Sequence, residues 1–272
     1  MQTTQPHISE REFEQFRQFI LKATGISMSP AKRPLVGGRL AKRLKQRGLD
    51  SYGDYFKLLD NERDAGEVQI AIDLLTTNET SFFRERKHFD FLQAQLATGW
   101  PGKAPLRIWS AASSSGEEAY SLAMLLSDQL ADGQWEVHAS DISTRVLERA
   151  RLGRYAIERS ATIPKDYLKR FCLRGTGPEE GAMLIKRSLR QRVSFQQVNL
   201  NAPLPQLGMF DAIFLRNVMI YFNEQTKREV VTRVLAQLKP GGFFFIGHSE
   251  SLQNVASGLE TIAPSVFRKP GA

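Results

Sequence analysis

Apolar positions recur at helical spacing through the first part of the chain. Ser9 followed by Glu12 forms a capping-box signature, and Phe13, Phe16 and Ile20 then share one face. Gly25 is the stop signal. A second helix is expected from near Pro34 to Gly48, and two more over residues 52–59 and 67–75. No strand pattern precedes Leu106, so residues 1–76 are expected to form a small helical domain. The pattern then changes. Short apolar runs at residues 106–110, 135–140, 210–215, 242–247 and 266–269 alternate with amphipathic stretches at 117–130, 144–152 and 223–238. The last of these is closed by Lys239-Pro240-Gly241-Gly242. Strands alternating with helices of this length predict βαβ units and a parallel sheet covered on both faces. Residues 77–272 are therefore expected to form an α/β domain. One stretch breaks the alternation, at about residues 166–192. There the runs 171–174 and 182–186 flank Gly-Thr-Gly-Pro-Glu-Glu-Gly, which predicts a small inserted antiparallel hairpin.

Composition narrows the function classes. The chain has 272 residues, 42% hydrophobic and 24% charged, ordinary for a globular protein with a real core. A single cysteine, Cys172, excludes internal disulfides and multi-thiolate zinc sites. The four histidines are well separated in sequence, so no metal site is expected. The polar N-terminal stretch lacks the apolar core of a secretory signal. The longest apolar runs are too short to span a bilayer, which makes a cytoplasmic location without membrane insertion the expectation. The formal net charge is +8, which points to an acidic partner without saying which kind.

Three segments are placed to carry chemistry. The strand-turn-helix Arg107-Ile-Trp-Ser-Ala-Ala-Ser-Ser-Ser-Gly-Glu-Glu118 sits where a doubly wound fold binds its nucleotide. Asp141 follows at the end of the next strand, near the spacing at which an acid meets a ribose. The turn has one glycine only, and Glu117 and Glu118 open the helix. Carboxylates suit the positive helix end but repel a pyrophosphate seated on it. S-adenosylmethionine fits better, having a ribose, no phosphate, a sulfonium and an α-amino group. The second segment, Thr76-Thr-Asn-Glu-Thr-Ser-Phe-Phe-Arg-Glu85, lies at the join of the two expected domains. The third, Arg216-Asn-Val-Met-Ile-Tyr-Phe222, directly follows an apolar strand, where residues face the ligand crevice of an open parallel sheet.

Put in order, these pieces resemble one family. TTNETSFFRE, WSAASSSGEEAYSLAM, ASDIS, FDAIFLRNVMIYF and GGFFFIGHSE are similar to the chemotaxis receptor methyltransferases of the CheR type, over nearly the whole chain. The resemblance implies an S-adenosylmethionine-dependent methyltransferase domain of Rossmann-like α/β fold. It also implies an N-terminal all-α domain and a small inserted antiparallel β-subdomain. The implied reaction methylates glutamate side chains on the cytoplasmic helical bundle of chemoreceptors, releasing S-adenosylhomocysteine. The family's cofactor residues map to Asn78, Thr80, Arg84, Glu118, Asp141, Asn199, Leu200, Arg216 and Asn217. Tyr221 maps beside the reacting methyl, and Arg84 could instead orient the incoming carboxylate. The family's basic helix, proposed to dock the receptor, maps to Arg39, Lys42, Arg43 and Arg47. In some members the β-subdomain binds a receptor's C-terminal tail peptide, and the GTGPEEG turn resembles theirs. The family precedent is a monomer.

Two alternatives differ in kind. A nucleic-acid methyltransferase acting on base amino groups usually carries an Asn/Asp-Pro-Pro-aromatic segment after the fourth strand, where this chain has Arg216-Asn-Val-Met. A methyltransferase-like binding module would not need Asp141, Glu118, Arg84 and Asn78 intact. Charge distribution agrees with a protein partner. Residues 29–49 hold seven Lys/Arg and no Asp or Glu, residues 145–192 carry a net +8, and the remainder is close to −7. At about 100° per residue, Arg39, Lys42, Arg43 and Arg47 fall on one arc of the second helix.

Overall fold

A computed structural model describes residues 7–60, 65–100, 105–130, 133 and 135–271. The chain forms two compact units. One comprises Met1–Thr77 together with Tyr221–Thr226, the other Asn78–Ile220 together with Lys227–Ala272.

The first unit holds α1 (Glu10–Thr24), α2 (Arg33–Arg47), α3 (Tyr52–Asp60) and α4 (Ala65–Leu75). The capping box forms: Glu12 N–H donates to Ser9 Oγ, and the Glu12 carboxylate accepts the Ser9 N–H at 2.9 Å. Phe13, Phe16 and Ile20 are buried as their spacing requires, and Gly25 ends α1 in the left-handed conformation. Tyr52 Oη donates to Gly37 O at 2.9 Å, which binds α3 to α2.

In the second unit, α5 (Lys87–Ala97) precedes the sheet, a helix not assigned from the sequence. The following elements are β1 (Leu106–Ala111), α6 (Glu117–Leu130), β2 (Trp135–Asp141), α7 (Thr144–Leu152), β3 (Arg154–Ala156), α8 (Lys165–Phe171), β4 (Cys172–Arg174) and β5 (Ala182–Ile185). Then come α9 (Arg187–Arg190), β6 (Val193–Gln197), β7 (Phe210–Leu215), α10 (Glu224–Leu235, its first turn in the helical unit), β8 (Leu238–Ile246), β9 (Glu260–Ala263) and β10 (Val266–Arg268). Seven strands form the main sheet in the order β6-β2-β1-β7-β8-β10-β9. The first five are parallel, and β10 and β9 close the edge antiparallel. Every residue of β7 is buried, so both faces of the sheet are covered, as the unbroken apolar run foretold. Strand order reverses between β1 and β7, which opens a crevice beyond their carboxyl ends.

The insertion is larger than a hairpin. β3, β5 and β4 form a separate three-stranded antiparallel sheet, because the expected hairpin recruits the three-residue β3. β6 and β9 were likewise not expected. Both lie at the ends of the sheet order and keep much of their surface exposed, so neither shows a clean apolar run.

Candidate functional site

The crevice begins at the turn after β1. Ala112 and Ser113 donate their N–H groups to Ser140 O at 2.9 and 2.8 Å, which zips the turn onto β2. Ala112, Ser114 and Gly116 all have positive φ, so the chain reverses tightly before α6. Asp141 organises this reversal. One carboxylate oxygen accepts the Ser114 N–H and the other the Ser143 N–H, each at 2.9 Å. Gly116 serves packing: a Cβ there would lie 2.8 Å from Ala150 Cβ and 3.1 Å from Tyr155 Oη.

Residues 78–84 lie against this turn. Ser114 Oγ donates to Asn78 O at 2.7 Å. Thr80 O accepts from the Arg159 guanidinium at 3.2 Å, and Phe83 N–H donates to Ser121 Oγ at 2.9 Å. Phe82 and Phe83 are buried in the core. Arg84 is half-buried and donates to Glu79 O at 3.2 Å.

A buried charge cluster lies at the end of β7. The Arg216 side chain is only 1% exposed. It donates to Glu118 at 2.8 Å, to Glu85 at 2.9 Å and to Arg84 O at 2.5 Å. Ser110 Oγ donates to the other Glu118 oxygen at 2.6 Å. Burial pushes the Glu118 carboxyl up, with Arg216 opposing. Burial also pushes Glu85 up, but Arg216 and Asn217 outweigh it and hold that carboxyl down to about 2. Arg216 is thus the internal counter-charge of two acids. Asn217 has positive φ. Its side-chain amide donates to Glu85 at 3.1 Å and its N–H to Glu250 at 2.9 Å. Glu250 also accepts the N–H groups of Gly247 and Ile220, at 2.7 and 3.2 Å.

The expected site residues therefore fall into groups. Asn78, Thr80, Arg84, Glu118, Asp141, Arg216 and Asn217 belong to the hydrogen-bonded structure around the ends of β1, β2 and β7. Asn199 and Leu200 sit after β6, where Asn199 Oδ1 accepts the Asn201 N–H at 2.9 Å and Leu200 O accepts from Arg233. Tyr221 is grouped with the helical unit: its carbonyl accepts the Ser27 N–H at 2.7 Å, and Phe222 bridges Ile26. Glu85, Glu250 and Arg159 were missed. The signals for the first two were present, as the last acids of TTNETSFFRE and GGFFFIGHSE, but only packing shows what they hold.

The family models agree in detail with this architecture. The CheR all-alpha domain matches residues 11–76, and the S-adenosylmethionine-binding domain of CheR methyltransferase matches residues 78–266. The chain belongs to the CheR methyltransferase family. It is 43% identical to chemotaxis protein methyltransferase 2 of Pseudomonas aeruginosa, over 96% of this chain and 94% of that one. It is 44% identical to the chemotaxis protein methyltransferase of Salmonella typhimurium, over 96% and 90%. The Escherichia coli relative of the same name is also 44% identical, over 91% and 87%.

The residues of this CheR-family chain fit S-adenosylmethionine. Asp141 at the end of β2 is an acceptor of the kind a ribose diol needs, and Glu118 sets a carboxyl, held by Arg216 and Ser110, beside the crevice. The turn offers no glycine-rich cradle, and its first helical residues are acidic, which disfavours a phosphate ligand. Two buried hydroxyls at these strand ends, Ser113 Oγ and Ser143 Oγ, have no hydrogen-bond partner among the described residues.

The basic helix departs from a simple solvated face. The Arg39 guanidinium donates to Leu75 O and Thr76 O at 2.8 and 3.1 Å, closing the end of α4. Arg43 and Arg47 both pair with Glu67, whose side chain is 1% exposed. Lys42 is exposed, as are Lys32 and Lys45. No helix among the described residues is long and apolar enough to cross a membrane.

Proposed function

We propose that this protein methylates glutamate side chains of chemoreceptors, giving γ-methyl esters and S-adenosylhomocysteine in chemosensory adaptation. The observation that carries the reading is the family match over residues 11–76 and 78–266, on a chain that keeps Asp141 bound to the turn after β1 and Glu118 bound to Arg216. In this reading Asp141 holds the ribose hydroxyls, and Glu118 faces the amino group. Asn78, Thr80, Asn199, Leu200 and Asn217 line the remaining contacts, and Arg84 holds a carboxylate. S-adenosylmethionine, when bound, supplies a methyl made electrophilic by its sulfonium. The accepting glutamate is ionised at neutral pH, so the chain needs no general base. Its task is to align the carboxylate oxygen and to exclude water. Tyr221 is the side chain assigned to the reacting end.

Receptor docking falls to the outward charges of α2, with Lys42 in front and Arg39, Arg43 and Arg47 fixing the helix behind it. The inserted sheet suits a tail peptide. Among the described residues β4 pairs with β5 alone, Leu173 is 50% exposed, and Arg174 is exposed. An extended aromatic and acidic peptide can add there as a fourth strand. In this reading the protein acts in the cytoplasm, as a monomer on the family precedent.

Incubation with methyl-labelled cofactor and chemoreceptor tests the reaction. Base-labile label on receptor glutamates is expected, and label in nucleic acid would overturn the reading. Calorimetry with S-adenosylhomocysteine should show clear binding that Asp141→Ala weakens tenfold or more, roughly the effect of removing a charged hydrogen-bond acceptor.

A further inference from the structure

We propose that Arg159 is a positioning residue for the cofactor, through which the inserted β-subdomain holds the segment carrying Asn78, Thr80 and Arg84. This rests on the cofactor assignment above. Among the described residues, polar groups hold the segment 78–84 from several sides. Ser114 Oγ on Asn78 O and Ser121 Oγ beneath the Phe83 N–H come from the β1–α6 region, and Arg216 donates to Arg84 O from the end of β7. A further tie comes from the insertion. Arg159 lies in the 3₁₀ turn Ile157–Thr162 that follows β3. Its Nη1 donates to Thr80 O at 3.2 Å and to Glu117 Oε1 at 2.5 Å.

The pairing is built for one geometry. The Glu117 side chain is fully buried, while that of Arg159 is half exposed. Ser115 Oγ donates to the other Glu117 oxygen at 2.7 Å. A buried carboxylate held from one side by a hydroxyl and from the other by a guanidinium leaves the guanidinium little freedom. The same planar group can then bind the Thr80 carbonyl, which an ammonium reproduces poorly. The turn itself is anchored, since Ile157 N–H donates to Gly181 O at 2.8 Å, in the loop before β5. Tyr155 of β3 adds an apolar grip: its ring meets Phe82 edge-on at 5.0 Å, and its hydroxyl donates to Ser115 O at 2.7 Å. The β-subdomain thus contacts both the turn before α6 and the segment 78–84, with Arg159 as its polar contact to Thr80.

Replacing Arg159 has two separable effects. It leaves Glu117 buried without its cation, which lowers stability. It also releases Thr80, which should loosen the cofactor. Calorimetry with S-adenosylhomocysteine on the full chain separates them. Arg159→Ala should weaken binding about tenfold, the scale of one lost charge-assisted hydrogen bond, and should lower the melting temperature. Arg159→Ala with Glu117→Gln removes the buried charge, so it should recover the melting temperature while binding stays weak. In turnover, the cofactor KM should rise with kcat at saturation within about twofold. Wild-type binding by Arg159→Ala, or recovery of affinity in the double variant, would overturn the proposal. Failure of the wild-type chain to bind would instead strike the cofactor assignment.

Discussion

Glu85 and His88 show how burial turns single residues into determinants of stability. Glu85 has a carboxyl lowered from its ordinary 4.5 to about 2 despite burial. His88 is 1% exposed, has no hydrogen-bond partner on either ring nitrogen among the described residues, and is lowered from 6.5 to about 3 by burial and by Arg216. The signs agree. For each group the unfolded chain binds the proton more readily, so stability rises with pH between the folded and unfolded values. The histidine contribution is complete above about pH 6.5 and is lost on acidification toward 3. The Glu85 contribution is lost between about 4.5 and 2. Between pH 6.5 and 4.5, denaturation of His88→Gln should therefore show a slope shallower than wild type, by up to about 1.4 kcal/mol per pH unit. Equal slopes would mean that His88 titrates normally. None of this was visible from the sequence, where His88 and Arg216 lie far apart.

At the level of elements, local signals placed most helices and strands well. The capping box set the start of α1, and α6, α7 and β7 fall on their expected residues. The missed strands share a cause. β3, β6 and β9 are short or half-exposed, so their pairing depends on a partner strand rather than on their own apolar pattern. Gly116 illustrates a related limit, since the sequence shows a lone glycine in the turn but not what surrounds it. It has φ 92 and faces Ala150 of α7, so the constraint comes from packing between α6 and α7. Gly116→Ala should cost about 1–3 kcal/mol in chemical denaturation, combining backbone strain with overpacking. A neutral result would mean that the turn relaxes freely. Helix α2 gives a second expectation. Arg43 and Arg47 neutralise Glu67, so reversing them would disturb the domain as well as any partner surface. Lys42→Glu with Lys45→Glu leaves those pairs intact. That variant should slow receptor methylation while cofactor affinity stays unchanged, and equal loss of both would misplace the docking surface.

Across the whole molecule, the net charge of +8 resolves into a basic helix in one unit and a basic insertion in the other. Docking by such exposed charges is screened by salt over about 8–10 Å. Receptor binding should weaken steadily as ionic strength rises, and a salt-independent affinity would count against it. The sequence by itself determined the order of elements, the helical and α/β parts, and the acids that open α6 and end β2. Each of these depends on neighbours a few residues apart, through capping, periodicity and turn chemistry. Only the tertiary structure decided how those acids are held. It paired Arg216 with Glu85 and Glu118, set Glu250 beneath three backbone N–H groups, closed α4 with Arg39, and brought Arg159 to Thr80. It also gathered Tyr221–Thr226 into the helical unit. These contacts join residues that are distant in sequence, and burial makes an unpaired charge costly enough to fix each partner. That cost arises only once the chain has packed, so no local pattern records it.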